Sequence, residues 1–528
     1  MQMPGLDLEF GTLPAPVPIW HAQVTTQQWQ TAATAVRAAG GRLLALWAGS
    51  MDQGAGDAGL VPDAACMCAA YVTLEGAFWL SLPLQQSNGQ QLYPDLSTAF
   101  LPAGRMQRAA ADLSGVQAQG VQDVRPWLNH GAWPADHYPL QQDSTKLPVP
   151  APTELVNYPF VRVEGDGVHE IAVGPVHAGI IEPGHFRFSV VGEKVLRLEQ
   201  RLGYTHKGIE QRMTQLPPLG AHRLAGRVSG DSTVAYAWAY CMALESACGC
   251  VIPARAAWLR AVLLERERIA NHLGDLGAIG NDAAFAFALA QFSRLKEDWL
   301  RLHAQVFGHR WLMDRIVPGG VACDLDRAQR DLLARQCDVI EAEVRTLYDV
   351  FEAHAGLQDR LMTTGRVLPE LASRLGLTGL AGRASSQTWD VRCDHPFVPF
   401  DTLTVAMATH HNGDVAARVL VRFDEVFESM RLIRGMLQDL PAGDIHAPLT
   451  LPQKPSRGAG WVEGWRGELW VALELAGADQ GNRIERCHLH DPSWQNWPVL
   501  EHAIMGNIVA DFPIINKSFN LSYSGQDL

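Results

Sequence analysis

Three segments from residue 253 onward carry apolar residues on one helical face, two of them at alternating steps of four and three, and this pattern restricts the fold more than any other feature. The stripes are Leu333, Cys337, Ile340, Val344, Leu347 and Phe351; Val419, Phe423, Val426, Met430, Ile433 and Leu437; and, after Pro253, Leu259, Val262, Leu263, Ile269 and Leu273. A helix with such a stripe is stable only when that face is covered. Several long helices of this kind therefore predict a helical bundle. Gly356 follows the first stripe and is predicted to cap its helix.

The first 142 residues differ, because short apolar runs alternate there with turn residues. Residues 42–47 and 69–82 are predicted as strands, and residues 26–39 as a helix. A chain of 528 residues is long enough for two or three domains. Residues 1–142 are therefore expected to form an α+β domain of their own.

A proline-rich stretch follows this domain. Pro148, Pro150 and Pro152 alternate with other residues and continue neither a helix nor a central strand. Residues 143–157 are therefore predicted to be an extended linker, and residues 158–528 a second domain. That domain is expected to begin with a β-rich segment, including a hairpin that turns at Gly192, and to continue as the helical bundle. Its tail, from Trp494 onward, lacks periodicity and predicts a packed irregular segment.

Composition excludes several classes of protein. The net charge is −13, the opposite sign to that of a nucleic-acid-binding protein. No apolar run reaches the ~18 residues of a membrane span, and the N-terminus lacks the basic and apolar regions of a signal peptide. The nine cysteines are scattered and lack the spacing of a structural zinc site. These features predict a cytoplasmic protein.

Several motifs in the second part occur in the order typical of one family. They include VRVEGDGVHEI, GPVHAGIIEPGHFRFSV, LGYTHKGIEQ, TTGRV, GRASSQTWDVRCDHPF, GDVAARVLVRFDEVFES and EGWRGELW. In these motifs the chain resembles the large subunit shared by complex I and the membrane-bound group 4 [NiFe] hydrogenases. Two N-terminal motifs, YPDLSTAFLPAGRMQRAAADLSGV and HGAWPADHYPL, resemble the hydrophilic subunit beside it in complex I. The resemblance implies a fused subunit of the formate-hydrogenlyase type.

The chain departs from this family at the metal ligands. The resemblance implies two C-x-x-C pairs that supply four thiolates to a [NiFe] centre. Ser229 and Ser232 stand at the first pair here, and Ser493 and Asn496 at the second. Because hydroxyls and amides do not replace soft thiolates, the chain is expected to hold no metal and to lack hydrogen chemistry. A divergent [NiFe] hydrogenase is a third-ranked alternative.

In complex I the same region forms the inner end of a quinone chamber. The resemblance implies a similar chamber in this chain. His206 aligns with a histidine of that chamber, and a structural histidine is the alternative. Glu164 aligns with a proton-relaying glutamate, or pairs with Arg162 or Arg466. Asp231 is a candidate to orient His206, although an N-cap for a helix beginning at Ser232 is the favoured interpretation.

The resemblance also indicates which residues line this cavity. Gly230 replaces the tyrosine that meets the quinone head group in complex I, and Tyr236 is one turn further on. Arg227, Arg383 and Arg466 occupy arginine positions of the family. The alternative for these arginines is buried pairing with acidic residues, namely Asp390, Glu463 or Glu468.

The leading functional hypothesis is an electron- or proton-transferring subunit of a complex I-like or hydrogenase-like oxidoreductase, with quinone as a candidate acceptor. A catalytically silent subunit that couples a partner to membrane ion pumps is the second. No glycine-rich dinucleotide motif is present, so NADH binding is not expected. The implied partners are a small [4Fe-4S] subunit, docked at residues 227–232 and 491–496 through Trp494 and Trp497, and membrane-embedded ion-translocating subunits. The expected location is peripheral, on the inner face of the cell membrane.

Overall fold

The computed structural model describes residues 8–50, 65–84, 86–87, 90–141, 157–179 and 181–528. The predicted linker at residues 143–157 lies outside these ranges except for residue 157. The division into two domains at this linker therefore stays a prediction. The α+β fold class is confirmed, because helices and several separate sheets alternate along the chain.

The N-terminal region is built on a mixed five-stranded sheet. Its elements are β1 (Gly11–Thr12), β2 (Ile19–Gln23), α1 (Thr26–Ala38), β3 (Arg42–Ser50), β4 (Ala65–Val72), β5 (Ala77–Pro83), β6 (Gln86–Ser87), β7 (Gln90–Pro94), α2 (Ala103–Ser114) and β8 (Val116–Gln119). The order of the large sheet is β1-β2-β5-β4-β3, and β6, β7 and β8 form a smaller one. The predicted helix and strands are present, and residues 69–82 comprise parts of two antiparallel strands.

The second region opens with the predicted β-rich segment. Strands β9 (Val168–Val173), β10 (His185–Val191) and β11 (Lys194–Arg201) form an antiparallel sheet. Gly192 has a φ of +59° in the turn between β10 and β11, a conformation that favours glycine. The predicted hairpin is therefore confirmed.

The rest of the chain is mainly helical, with two further small sheets. Its elements are α3 (Ile209–Met213), α4 (His222–Ala225), α5 (Thr233–Cys248), α6 (Ala254–Asp282), α7 (Ala286–Phe307), β12 (Ile316–Val317), β13 (Gly320–Val321), α8 (Arg327–Ala353), α9 (Ala355–Leu361), α10 (Pro369–Arg374), α11 (Gly379–Arg383), α12 (Val391–Asp394), α13 (Val415–Gln438), β14 (Ser456–Glu463), β15 (Glu468–Leu475), β16 (Ile484–His490), α14 (Ser493–Ala503) and α15 (Phe512–Phe519). Among the described helices, none is both long and apolar enough to cross a bilayer.

The three apolar stripes lie on α8, α13 and α6, and every residue of them is buried. Helix α6 packs against α7 and α13, and α8 against α13, so the predicted bundle is confirmed. Two details were wrong. Helix α8 ends at Ala353, because His354 leaves helical geometry and accepts a hydrogen bond from Leu357 N at 2.9 Å, which starts α9. The tail from Trp494 onward contains two helices, α14 and α15.

Strand β14 packs directly on α5, and this contact requires glycine. A methyl group on Gly458 or Gly460 would collide with a carbonyl oxygen of α5. Close packing on glycine lets the sheet β14-β15-β16 lie on the helix that follows residues 229–232. The sheet therefore positions the turn between β14 and β15 near the start of α5.

A buried ion pair joins the N-terminal region to this sheet. Arg42, on β3, pairs with Glu468, on β15, whose side chain is 2% exposed. Trp461 Nε1 and Thr378 Oγ1 also donate to this carboxylate, at 3.0 and 3.1 Å. Trp47 stacks on His488 with ring centroids 4.7 Å apart. Polar and aromatic contacts therefore fix the two regions together.

We expect Arg42→Met to destabilise the chain by about 3–5 kcal/mol, because it leaves the Glu468 carboxylate buried without its cation. Urea unfolding measures the change. Arg335→Met, an exposed substitution on α8, is the control and should change stability by less than about 0.5 kcal/mol. Equal stability of the two variants would show that the Arg42–Glu468 pair contributes nothing.

The first turn of α5 is capped by a residue of another helix. Glu267, on α6, accepts hydrogen bonds from Val234 N at 2.7 Å and Ala235 N at 3.1 Å. The predicted N-cap, Asp231, is wrong, because the helix begins at Thr233 and the Asp231 carboxylate pairs with Arg466 instead. Burial raises the pKa of Glu267 to about 8, although both backbone donors oppose the shift.

The stability contributed by Glu267 should fall as pH rises. Its folded pKa of about 8 lies above the ordinary value of 4.5, so the contribution is complete below pH 4.5 and lost toward pH 8. Glu267→Gln removes this titration. The variant should therefore become more stable relative to the natural chain, by a few kcal/mol (on the order of 1.4 per pKa unit), between pH 5 and 8. Denaturant unfolding at several pH values tests this, and a difference that does not change with pH would contradict it.

Candidate functional site

A cavity of about 580 Å³ opens where the start of α5 meets the C-terminal tail. Its walls come from the loop before β10, the loop before α5, helices α6, α7 and α15, and the turn between β14 and β15. They are lined by Gly179, Ile181, Glu182, Ser229, Gly230, Asp231, Asn271, Gly274, Asp275, Lys296, Trp311, Arg466, Lys517, Asn520, Leu521, Ser522, Tyr523 and Ser524. Pockets of this size typically hold small molecules.

An ion pair between Asp231 and Arg466 forms one wall of this cavity. The guanidinium reaches Asp231 Oδ1 at 2.8 Å and makes a second, shorter contact with Oδ2. Arg466 also donates from Nε to Asn520 O at 2.5 Å and lies over the ring of Trp465, 4.0 Å from its centroid. Burial alone would raise the pKa of Asp231, but Arg466 holds it at about 2. This carboxylate is therefore charged at neutral pH, and 34% of its side chain is exposed.

Two of the four substituted ligand positions are joined through the tail. Ser522 Oγ lies 3.0 Å from Ser229 Oγ, and Ser522 N donates to Ser493 Oγ at 2.9 Å. Ser229 Oγ also donates to Asp231 Oδ1 at 2.7 Å. One serine from each substituted pair is thus hydrogen-bonded to the same tail residue.

The other two positions are also engaged by protein groups. Ser232 Oγ accepts from Trp465 Nε1 at 3.1 Å and from Arg466 at 3.1 Å. Asn496 pairs with the backbone of Thr378, accepting at 3.0 Å and donating at 3.1 Å. These hydroxyl and amide donors lack the softness that a [NiFe] centre requires, and their hydrogen bonds already occupy them. The residues at the four positions therefore do not fit that cofactor.

Within the described ranges, no group of three or more His, Cys, Asp or Glu residues could hold a metal ion. Cys241 and Cys487, the cysteines nearest in sequence to the substituted positions, are buried as free thiols. Burial raises the pKa of both thiols. Neither is poised as a thiolate ligand.

His206 and Glu164 do not line the cavity. His206 Nδ1 is 3.1 Å from Asp527 O, and its ring packs against Trp133. Glu164 is exposed on the loop before β9, which does not match its expected place beside a buried site. Asp231 pairs with Arg466 and makes no hydrogen bond to His206 in the described contacts.

Of the five predicted lining residues, Gly230 and Arg466 face the cavity. Tyr236 is buried behind it and donates to Asp491 Oδ2 at 2.8 Å. Arg227 lies on the surface and binds Asp314 with two contacts of 2.8 Å.

Arg383 is buried in an ion network and is absent from the lining. It reaches Glu425 at 2.5 Å and Glu463 at 2.9 Å, with Asp390 at 3.6 Å. Arg383 therefore fits the alternative interpretation, in which it pairs with buried acidic residues. Its contacts make it a support for neighbouring elements.

The proposed docking segment at residues 491–496 is not an exposed apolar patch. Trp494 is 5% exposed and stacks with His490, while Trp497 is fully buried. Trp497 Nε1 donates to Ser522 O at 3.0 Å, which ties α14 to the tail. These tryptophans belong to the core of the chain, so the expectation of a free aromatic anchor there is wrong.

Two lysines and the tail were missed by the sequence analysis. Lys296 and Lys517 both line the cavity, as do residues 520–524. The rarity of lysine in this chain was an available signal for the first two. The tail has no periodic pattern, and its position depends on contacts with residues distant in sequence.

Known proteins resemble the chain over most of its length. The family described as "Respiratory-chain NADH dehydrogenase, 49 Kd subunit" matches residues 279–458. Formate hydrogenlyase subunit 5 of Escherichia coli (strain K12) is 31% identical over 457 residues, 85% of this chain and 79% of that protein. Carbon monoxide-induced hydrogenase of Rhodospirillum rubrum is 32% identical over 353 residues, 67% of this chain and 97% of that protein.

A complex I relative and a solved structure complete the comparison. NADH-quinone oxidoreductase subunit 4 of Thermus thermophilus is 29% identical over 403 residues, covering 71% of this chain and 96% of that protein. The solved structure, of the membrane-bound sulfane sulfur reductase, an archaeal respiratory membrane complex, superposes with a TM-score of 0.64 at 23% identity. It covers 69% of this chain and 99% of that chain, and supports the fold alone. The chain therefore belongs to the large-subunit family shared by complex I and the group 4 [NiFe] hydrogenases.

Proposed function

We propose that this chain is a large subunit without a [NiFe] centre in a membrane-associated oxidoreductase of the complex I or hydrogenase type. It supports electron or proton transfer beside a [4Fe-4S] cluster held by a small partner subunit. The observation that carries this proposal is the cavity at the substituted ligand positions, with the Asp231–Arg466 pair in its wall. The relatives named above are hydrogenase and NADH-quinone oxidoreductase subunits, which supports the reaction class.

The residues of the cavity favour a proton-coupled acceptor over metal chemistry. Arg466 is paired with Asp231, and the cationic end of this fixed ion pair in the wall stabilises negative charge that develops on a molecule being reduced. Asp231 keeps that guanidinium oriented. Quinone is the acceptor class suggested by the complex I relatives. Gly230 has no tyrosine hydroxyl for a quinone. Among the described residues, no atom lies within 4 Å of where its Cβ would be, so the cavity has room beside it.

The partners follow from the same family membership. We infer a small [4Fe-4S] subunit and membrane-embedded ion-translocating subunits, with this chain peripheral on the inner face of the cell membrane. The second candidate is a catalytically silent coupling subunit, which the glycine at position 230 favours. A divergent [NiFe] hydrogenase ranks third, because all four ligand positions carry hydroxyl or amide side chains.

We expect the purified complex to contain iron and acid-labile sulfide but no nickel. Hard, hydrogen-bonded donors at residues 229, 232, 493 and 496 provide no thiolate for that metal. Elemental analysis with a hydrogen-uptake assay tests this. About one nickel per chain, together with hydrogen uptake, would contradict the proposal. Purification of the chain without any iron–sulfur protein would contradict the partner assignment.

Asp231→Asn should slow turnover of the assembled complex by about 10²-fold, because it removes the charge that orients Arg466 in the cavity. The cluster spectrum should change little, whereas the melting temperature should fall, because Arg466 is left buried without its carboxylate. Glu164→Gln is the matched control, since Glu164 is exposed and does not line the cavity. Unchanged turnover in Asp231→Asn would instead favour the catalytically silent coupling subunit.

A further inference from the structure

Lysine is rare in this chain, yet two lysines face the same cavity. The sequence contains six lysines against 37 arginines. Lys296, on α7, and Lys517, on α15, both line the cavity beside Asp231 and Arg466. A lysine ammonium is a compact point charge, whereas arginine is the usual choice for fixed ion pairs in proteins. The presence of two of the six lysines in one cavity indicates that both contribute to binding the same ligand.

The acidic groups of the cavity are already engaged by other residues. Asp231 pairs with Arg466, and Asp275 pairs with Arg422 at 2.8 Å. Asp275 also accepts from Asn520 at 2.8 Å. The third acid, Glu182, accepts from the backbone and hydroxyl of Ser524 at 3.2 and 3.3 Å.

Neither lysine forms a close ion pair in the described part of the protein. Among the described residues, no carboxylate oxygen lies within 4.0 Å of Lys296 or Lys517 Nζ. Two of the three lining acids are paired with arginines, so the two lysines outnumber Glu182, the one remaining lining acid. An anion entering the cavity would meet two cations that form no close ion pair with the described residues, although Asp282 attracts Lys517, and Asp275 and Asp231 attract Lys296, at longer range.

The ammonium group of Lys296 lies beside a glycine and an aromatic ring. Its Nζ lies close to Gly274, where a side chain would collide with the ammonium. The same Nζ is 5.3 Å from the centroid of the Trp311 ring. Burial lowers the pKa of Lys296, and the charges of Asp275 and Asp231 oppose this. A cation withdrawn from water without a close ion pair is costly, and an anionic ligand would offset that cost.

We propose that the cavity binds a small organic anion, whose acid group lies between Lys296 and Lys517 and whose apolar body lies against Trp311 and Leu521. A cavity of about 580 Å³ is far larger than an inorganic ion needs. The inference rests on the proposed function only in taking this cavity as the working site. It names the charge class of the substrate or effector and does not require turnover.

The test uses the assembled complex and isothermal titration calorimetry with benzoate as the probe. Benzamide, which has nearly the same shape but no charge, is the matched ligand. Benzoate should bind and benzamide should bind at least about tenfold more weakly. Lys296→Met and Lys517→Met should each weaken benzoate binding by about tenfold, the effect of losing one charge contact. Lys194→Met, an exposed substitution on β11, should leave binding unchanged.

Several outcomes would overturn the proposal. These are no benzoate binding by the natural complex, equal binding of benzoate and benzamide, or lysine variants that bind like Lys194→Met. Sulfate binding as tightly as benzoate would overturn the assignment to an organic ligand. Lys296 and Lys517 lie on different helices, so either variant keeps the test valid if the other does not fold.

The same experiment separates this inference from the proposed function. Lysine-dependent benzoate binding by a complex without redox activity would support the anion site and contradict the oxidoreductase role. An active complex that reduces a neutral quinone analogue but does not bind benzoate would support the oxidoreductase role and contradict the anion site.

Discussion

The position of Arg466 depends on a buried ion network that lies behind it. Glu425, on α13, accepts from His272 at 2.7 Å and from Arg383 at 2.5 Å, and Arg383 continues to Glu463. Arg268 donates to the carbonyls of residues 463 and 464 at 2.8 and 2.9 Å. Because these charges are out of water, removing one partner leaves another unpaired. The network therefore holds the turn that follows residue 464, and with it the guanidinium that pairs with Asp231.

The substituted ligand positions lie in two loops that are distant in sequence, one before α5 and one before α14, and hydrogen bonds connect these loops. Where such positions carry thiolates, both pairs would meet at one metal centre. Here Ser522 makes the link, with Ser229 on one side and Ser493 on the other. Each such hydrogen bond contributes only about 0.5–1.5 kcal/mol. The tail is further held by Trp497, which donates to the Ser522 carbonyl. Hydrogen bonds and aromatic packing thus join the two loops, and the space beside them stays open as the cavity.

The parts of the fold with a local period could be predicted from sequence. The stripes on α6, α8 and α13 follow directly from helical spacing, and the hairpin at Gly192 from alternation around a turn residue. Gly356 failed as a cap because His354 ends α8 two residues earlier, a choice set by the next helix. The tail failed because α14 is buried on nearly all sides and shows no stripe, and because α15, with Phe512, Ile515 and Phe519 on one face, is only eight residues long.

The candidate site was only partly predictable for a related reason. Motif alignment gives the position of a residue along the chain, not the direction of its side chain. Gly230 and Arg466 lie in the walls, whereas Tyr236 and Arg383 point into buried hydrogen-bond networks. Asp231 was recognised, but its partner was not, because Arg466 is brought to it by the network described above.

The charges of the cavity bear on what kind of molecule it accommodates. The Asp231–Arg466 pair is internally neutral, so it offers hydrogen bonds and orientation without a strong preference for ligand charge. Lys296 and Lys517 add a preference for anions, because neither forms a close ion pair with a carboxylate of the described residues. A neutral quinone would leave both ammonium groups without an anionic partner, whereas an organic anion would supply that partner. Lysine also differs from arginine in that burial lowers its pKa more readily. Positive charge carried by lysine therefore suits a cavity whose occupant changes charge as it is reduced.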